Sequence, residues 1–469
     1  MDSILKLVYP FKVNEIDGSP RYLLNGVHPA VTDLIIERLK QNPLDTVESI
    51  VNEIGADNDN SWDTFFRHSN FLSYYRQHYR YENIVDLDQI IDDQSTYIWV
   101  IEIGGSLDDF YTPKKLKING SLLEYGFIDT VPEKLLPHLR SGKVKIVINI
   151  IHDPICLPDN IMKIEKYFSD HLIDASNITI IGGNDYSNYY KDNPNSKINL
   201  TYGYIMVQQA GDRLGNFPYT SSLGYESDAV RESDLDSSII RPKRFLCWNR
   251  TMRIQRVWLA YIALKYNLLE NSYFSFLNPS GGGIRTLLVT IKELNPNDAV
   301  QYAERVQKLI PYDLDTHHLT PAQKMGFPTN NNKKEFYQNS YVHITSETLF
   351  DKNPGAPFFS EKTFHAMVNL QPFIYVGNYQ ALALLKSWGI RTFHPFIDES
   401  YDEEIDPVLR FKMIEKEIVK LNEMPLQQLH DWYYSITDIL IHNQKILTQF
   451  KNMNPFENSL EFIRKRYGN

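Results

Sequence analysis

The chain has 469 residues, 42% hydrophobic and 23% charged, which is enough apolar material for two or three domains and excludes global disorder. Forty-eight basic against fifty-eight acidic residues leave a net charge of −10; this disfavours a protein that coats nucleic acid through its overall field, though not one with a local basic cleft. Cys156 and Cys247 are too few for a disulfide framework or a cysteine-rich zinc site. No apolar run reaches the length of a membrane span, and the first residues lack a secretory signal, so a cytoplasmic location is expected.

In chain order, residues 28–92 read as helices with polar breaks. Three apolar, β-branched runs follow, at residues 97–101, 144–151 and 178–181. They stop at Gly104-Gly105, at His152-Asp153-Pro154 and at Gly182-Gly183. Short apolar runs that end in turn residues predict buried parallel strands with loops at their carboxyl ends. Residues 204–207 are a further candidate strand. The polar stretch 211–242 places a boundary between domains there. Beyond it, residues 244–248 predict a strand and 253–265 a helix. A strand at 341–345 precedes a Pro/Gly loop and a helix from Glu361 capped by Ser360. Residues 373–376 predict the next strand. A helix then ends near Gly389, and Asp406-Pro407 opens a long helix with a stripe of Leu409, Met413, Ile414, Ile418 and Leu421. Alternating strands and helices predict two α/β domains in tandem, each a doubly wound parallel sheet, with ligands beyond the carboxyl ends of the strands. The expected domains are 1–235, 236–425 and a set of C-terminal helices over 426–469.

Two clusters carry candidate chemistry. The first is Asn249, Arg253, Gln255 and Arg256, just past a strand and opening a helix. Guanidinium groups and free helix N–H donors at one place favour a phosphate, which a planar arginine can grip with two bonds. The same residues also suit a solvated basic face, or pairing with the acidic stretch at 232–236. The second cluster is Glu347 with Ser360, Glu361 and Lys362. Here a glutamate can accept from ribose hydroxyls and a lysine can meet a diphosphate, while an ordinary capped helix start is the more natural reading of this pattern taken alone.

The six carboxylates between 398 and 406 read as a solvated loop before a helix more readily than as a metal site. Four Asp-x-Asp triplets (57/59, 86/88, 234/236 and 313/315) follow no apolar strand, and His317-His318 lacks partners at ligand spacing. No dinucleotide fingerprint, P-loop, nucleophile elbow or zincin motif is present, which argues against an epimerase with a bound dinucleotide.

The string Phe359-Ser360-Glu361-Lys362-Thr363-Phe364, then Gln371 to Gly377, Gly389 to Phe393 and Ile397 to Asp402, resembles a family of phage and large-virus proteins described mostly as glycosyltransferases or uncharacterised. The Glu-Lys step with the upstream Asn and Arg is also remotely similar to the nucleotide-binding half of the alpha-1,3-fucosyltransferases. The resemblance implies a GT-B architecture, two Rossmann-like domains facing a cleft. The second would bind a nucleotide sugar and the first an acceptor, with the last helix crossing back. It implies that Arg253 or Arg256, with Lys362, holds the diphosphate and Glu361 the ribose. It leaves open which arginine acts.

A glycosyl transfer of this kind needs charge stabilisation for the leaving nucleoside diphosphate, which Arg, Lys and a helix N-terminus can supply without a metal or other cofactor. Inversion needs a base for the acceptor hydroxyl, expected on a loop of the first domain. Asp153 and Glu102 are the candidates, with His152 third, and Glu347 is a candidate contact to the donor sugar. The expected partners are a nucleotide sugar and a glycan or other hydroxyl acceptor. Modified DNA is an alternative acceptor, through basic stretches at 114–117, 241–244 and 464–466. A binding protein on the same scaffold is the non-enzymatic alternative. The sequence does not set the oligomeric state.

Overall fold

A computed structural model describes residues 5–8, 12–16, 19–22, 41, 84–85, 90, 95–102, 111, 113–118, 121–150, 158–182, 189–202, 229–249, 252–276, 283–310, 312, 334–350, 357–449, 461–462 and 465–467. The chain divides into two compact units. One comprises Met1–Gly203 with Pro455–Asn469, the other Tyr204–Asn454. Of the span 28–92, expected to be helical, only residues 41, 84–85 and 90 are described, and 84–85 form a strand rather than a helix; the candidate strand 204–207 lies outside the described residues.

The first unit holds β1 (Leu5–Val8), β2 (Lys12–Ile16), β3 (Ser19–Tyr22), β4 (Ile84–Val85), β5 (Thr96–Glu102), β6 (Lys114–Ile118), β7 (Ser121–Tyr125), β8 (Val144–Ile150), β9 (Ile178–Gly182) and β10 (Asn199–Tyr202). β2–β3 and β6–β7 are antiparallel pairs. The other six form one sheet in the order β10-β9-β8-β5-β1-β4, parallel throughout. Residues 97–101 of β5 and 146–150 of β8 are buried without alternation, as strands covered on both faces must be. Around them run α1 (Leu136–Arg140), α2 (Pro158–Asp170) and α3 (Tyr189–Asp192). α2 turns Ile161, Ile164 and Phe168 into the core, and its Glu165 carboxylate accepts from Ser196 Oγ and Lys197 N. Tyr467, from the returning C-terminal segment, bonds Thr179 Oγ1 at 2.9 Å and Asn199 Nδ2 at 3.0 Å. The three predicted strands of this unit form as expected. β10, at 199–202, was not anticipated.

The second unit contains β11 (Lys243–Cys247), α4 (Ile254–Lys265), β12 (Ser272–Phe274), α5 (Gly283–Leu294), α6 (Ala299–Leu309), α7 (Lys334–Gln338), β13 (Ser340–Ser346), α8 (Glu361–Val368), β14 (Phe373–Val376), α9 (Ala381–Ser387), α10 (Pro407–Glu423), α11 (Leu426–Ser435) and α12 (Thr437–Gln449). Its four strands pair in parallel in the order β12-β11-β13-β14. Helices lie on both faces, as consecutive residues at the end of β13 show. Ser346 Oγ receives Arg256 of α4, while the next side chain, Glu347, receives Thr363 of α8. Both units are therefore Rossmann-like parallel sheets, and the fold class is α/β.

The helix ends follow the capping signals closely. Ser360 caps α8 through its hydroxyl, Asp406 accepts from Val408 N and Leu409 N at the start of α10, and Gly389 takes φ +84° behind α9. The stripe of α10 is corrected at one position. Leu409 is exposed, and Phe411, Ile414, Ile418 and Leu421 are buried.

Candidate functional site

In the second sheet the strand order reverses between β11 and β13: from β11 the chain moves out to β12, then returns across β11 to β13. Such a switch point opens a crevice beyond the carboxyl ends of the two strands. Both sequence clusters stand there. Asn249 follows β11 and leads to α4; Glu347 follows β13 and leads to α8.

The two clusters are joined. The Arg253 guanidinium donates to Thr348 O at 3.0 Å and Gln255 Nε2 to Glu347 O at 2.6 Å. Arg256 Nη2 reaches Ser346 O and Glu347 O at 3.4 Å each. The Glu347 carboxylate accepts from Ser360 N at 3.1 Å on both oxygens, from Thr363 Oγ1 and from Thr348 N. Lys362 Nζ donates to Ser360 Oγ at 3.1 Å and to Glu361 at 2.7 Å.

Exposure divides the candidates into two groups. Glu361 and Lys362 keep side chains 38% and 23% exposed, and Arg253 is partly exposed. Asn249, Arg256, Glu347 and Ser360 are buried. Glu347 as a contact to the donor sugar is thereby corrected: its side chain is wholly enclosed, with both oxygens engaged inside the protein. Asn249 lies against β12, donating its N–H to Ser275 Oγ and its Nδ2 to Cys247 Sγ. Burial, with the neighbouring Arg253 guanidinium second, lowers the Arg256 pKa to about 10, so it stays charged at neutral pH. Burial raises the Cys247 thiol to about 12, which makes it an inert core group.

The two helix starts differ. α8 is doubly capped, by the Ser360 hydroxyl and by the Glu347 carboxylate. α4 begins at Arg253 with no side-chain cap, so its first N–H groups are the ones left for an outside acceptor. An anion at this crevice would meet Arg253, Lys362 and the start of α4, rather than the backbone of α8.

In the first unit the strand order reverses between β1 and β5. Glu102 is the last residue of β5, in register with Asn149 of β8. His152 and Asp153 lie outside the described residues.

The acidic run at 398–406 is not a solvated loop. Glu399 and Asp402 are buried: Glu399 accepts from Thr392 Oγ1 and Phe393 N, and Asp402 caps α9 through Leu382 N and Ala383 N. Among the described residues no group of three or more His, Cys, Asp or Glu is placed to hold a metal ion. Asp234 pairs with Lys334, and Asp236 accepts from Ser238. Of the basic stretch at 241–244, Arg241 is buried on carbonyl groups and Arg244 donates to Leu421 O and Met424 O. These arginines hold the fold together and present no basic face to a duplex. Among the described residues no helix is long and apolar enough to cross a membrane.

No protein-family model matches the chain, and no curated protein does. The resemblance to phage, large-virus and fucosyltransferase families therefore has no counterpart in those comparisons. Two solved structures are similar. "OtsA apo structure" has 10% identity and a TM-score of 0.34, over 79% of this chain and 92% of that one. "Trehalose-6-phosphate synthase. OtsA" has 11% identity and a TM-score of 0.35, over 79% and 91%. Similarity at this level carries no argument about activity.

Proposed function

We propose that the protein is a glycosyltransferase of the GT-B type that moves a sugar from a nucleotide-sugar donor to an acceptor hydroxyl, with inversion and without a metal. The observation that carries this reading is the gathering of Arg253, Glu361 and Lys362 at the switch point of the second sheet, beside the uncapped start of α4. Arg253 and Lys362 would hold the diphosphate and neutralise the charge that builds on it as the glycosidic bond breaks. Buried Arg256 would add positive field from below without touching the ligand. Glu361 would accept from the ribose. The resemblance of residues 359–402 to a phage and large-virus family described mostly as uncharacterised or as glycosyltransferases is in keeping with the same assignment.

Among the described residues, Glu102 is the candidate base for the acceptor proton. Replacing it by Gln is expected to abolish turnover while leaving donor affinity unchanged; turnover at the original rate would remove Glu102 from that role.

A thermal-shift panel of UDP-, GDP-, ADP- and CMP-sugars tests the whole reading. One of them is expected to raise the melting point, because only a ligand that prefers the native state can do so. No shift with any of the four would overturn the proposal. Transfer measured with and without a chelator tests the metal-free mechanism separately, and activity is expected to survive chelation.

A further inference from the structure

We infer that Glu347 is a positioning residue: its one buried carboxylate and its own peptide group fasten the starts of α4 and α8 together, so that the groups on both helices face one ligand. The inference rests on the nucleotide-binding reading above, and its test separates the two.

The physical case begins with cost. An ionised carboxylate removed from water is expensive unless it is fully hydrogen-bonded. Glu347 has no exposed surface, and no carboxylate is needed there merely to cap α8, since the Ser360 hydroxyl already accepts from Lys362 N at 3.3 Å. What the carboxylate adds is reach. It holds Ser360 N and Thr363 Oγ1, one turn of α8, and turns back to its neighbour Thr348 N. The carbonyl of the same residue receives Gln255 and Arg256 of α4, and that of Thr348 receives Arg253. Its N–H continues the ladder to Val376 O, at the end of β14.

Glu347 thus joins two helix starts and a strand end through one residue. The charge has a second effect. A negative group already answers the dipole of α8, so an incoming anion is directed to Lys362, Arg253 and α4.

Glu347→Ala and Glu347→Gln in the full chain test this. Gln keeps the length, and Thr363 can turn its hydroxyl to accept from the new amide, so it is the conservative arm and carries the test if the Ala variant does not fold. Hydrogen exchange of the unliganded protein is the first measurement. Exchange is expected to rise about tenfold at the hydrogen-bonded amides 256–257 and at 361–364 together in Glu347→Ala, and by less in Glu347→Gln, with β5 and β8 unchanged. A rise confined to 361–364 would reduce Glu347 to a cap of α8 and overturn the inference.

The second measurement is calorimetric affinity for UDP, GDP, ADP and CMP. The Glu347 variants are expected to weaken whichever nucleotide binds, and the loss should be non-additive with Lys362→Ala and with Arg253→Ala. Strictly additive losses would overturn the inference. If exchange rises at both helix starts but none of UDP, GDP, ADP and CMP binds the unaltered protein, positioning stands and the nucleotide reading fails.

Discussion

At the scale of single residues, the crevice separates groups that can meet a ligand from groups that set its field. Lys362 and Arg253 belong to the first kind. A charged hydrogen bond contributes about 1.5–3 kcal/mol, so Lys362→Ala and Arg253→Ala are each expected to weaken nucleoside diphosphate binding roughly ten- to a hundredfold, read by calorimetry. The Lys362–Glu361 ion pair adds little to stability, being partly exposed, so Lys362→Ala should fold and melt nearly as the unaltered chain does.

His343 belongs to the second kind. It lies on β13 with its side chain on the same face as Glu347, edge-on to Tyr337, and fully enclosed. Burial first, and the Lys362 ammonium second, lower its pKa to about 3 from the ordinary 6.5. Below pH 6.5 the unfolded chain takes up a proton that the folded chain refuses. The contribution of His343 to stability is therefore complete above that pH and lost as pH falls toward 3. Urea unfolding is expected to show about 2 kcal/mol less stability at pH 5 than at pH 7 from this residue. His343→Leu should flatten that slope by the same amount, and an unchanged slope would disprove the assignment.

At the scale of elements, the loop that delivers α8 depends on a missing side chain. Tyr375 lies on β14 and donates its hydroxyl to Phe358 O at 3.1 Å, two residues before the cap. Its ring sits against Gly377, where a Cβ would meet ring atoms at 2.4 Å. The ring is buried and packed on Phe359, so it has little room to yield. Gly377→Ala should cost about 1–3 kcal/mol of stability and speed proteolysis of the loop before Ser360. A melting curve tests the first effect and limited digestion the second. Three carboxylates of the acidic run likewise have an element to hold. Asp398 begins a short 3-10 turn, Asp402 caps α9 and Asp406 caps α10.

At the scale of the whole molecule, each parallel sheet needs crossover connections, and its helices supply the cover that lets the strands be apolar on both faces. Arg241 shows how the second unit is closed. Its guanidinium donates to Tyr337 O at 3.0 Å, Ser340 O at 2.7 Å and Tyr433 Oη at 2.8 Å, and lies 4.0 Å over the Tyr433 ring. This links the segment entering β11 to α7, β13 and α11. Arg241→Ala would leave the Tyr337 and Ser340 carbonyls to Gln371 Nε2 alone and remove the bond and stacking to Tyr433. A loss of about 1.5–3 kcal/mol is expected in urea unfolding.

The sequence by itself determined the local features. β5, β8 and β9 are strands because short β-branched runs that stop at turn residues leave little choice, and β11, β13 and β14 because short apolar or β-branched runs alternate with helical stretches. Ser360, Asp406 and Gly389 mark helix ends because capping is a contact between near neighbours in the chain. The clustering of Arg253 with Lys362 was legible only because a doubly wound sheet sends alternate loops to one edge. Tertiary structure decided the rest. That Glu347 is enclosed, that Arg241 and Arg244 hold carbonyl groups, and that Glu399 and Asp402 of the acidic run turn inward are all facts of burial. Burial depends on what other parts of the chain bring to the same place. Composition and periodicity carry no record of that distance, so a charged residue at a ligand and one inside a core read alike in the sequence.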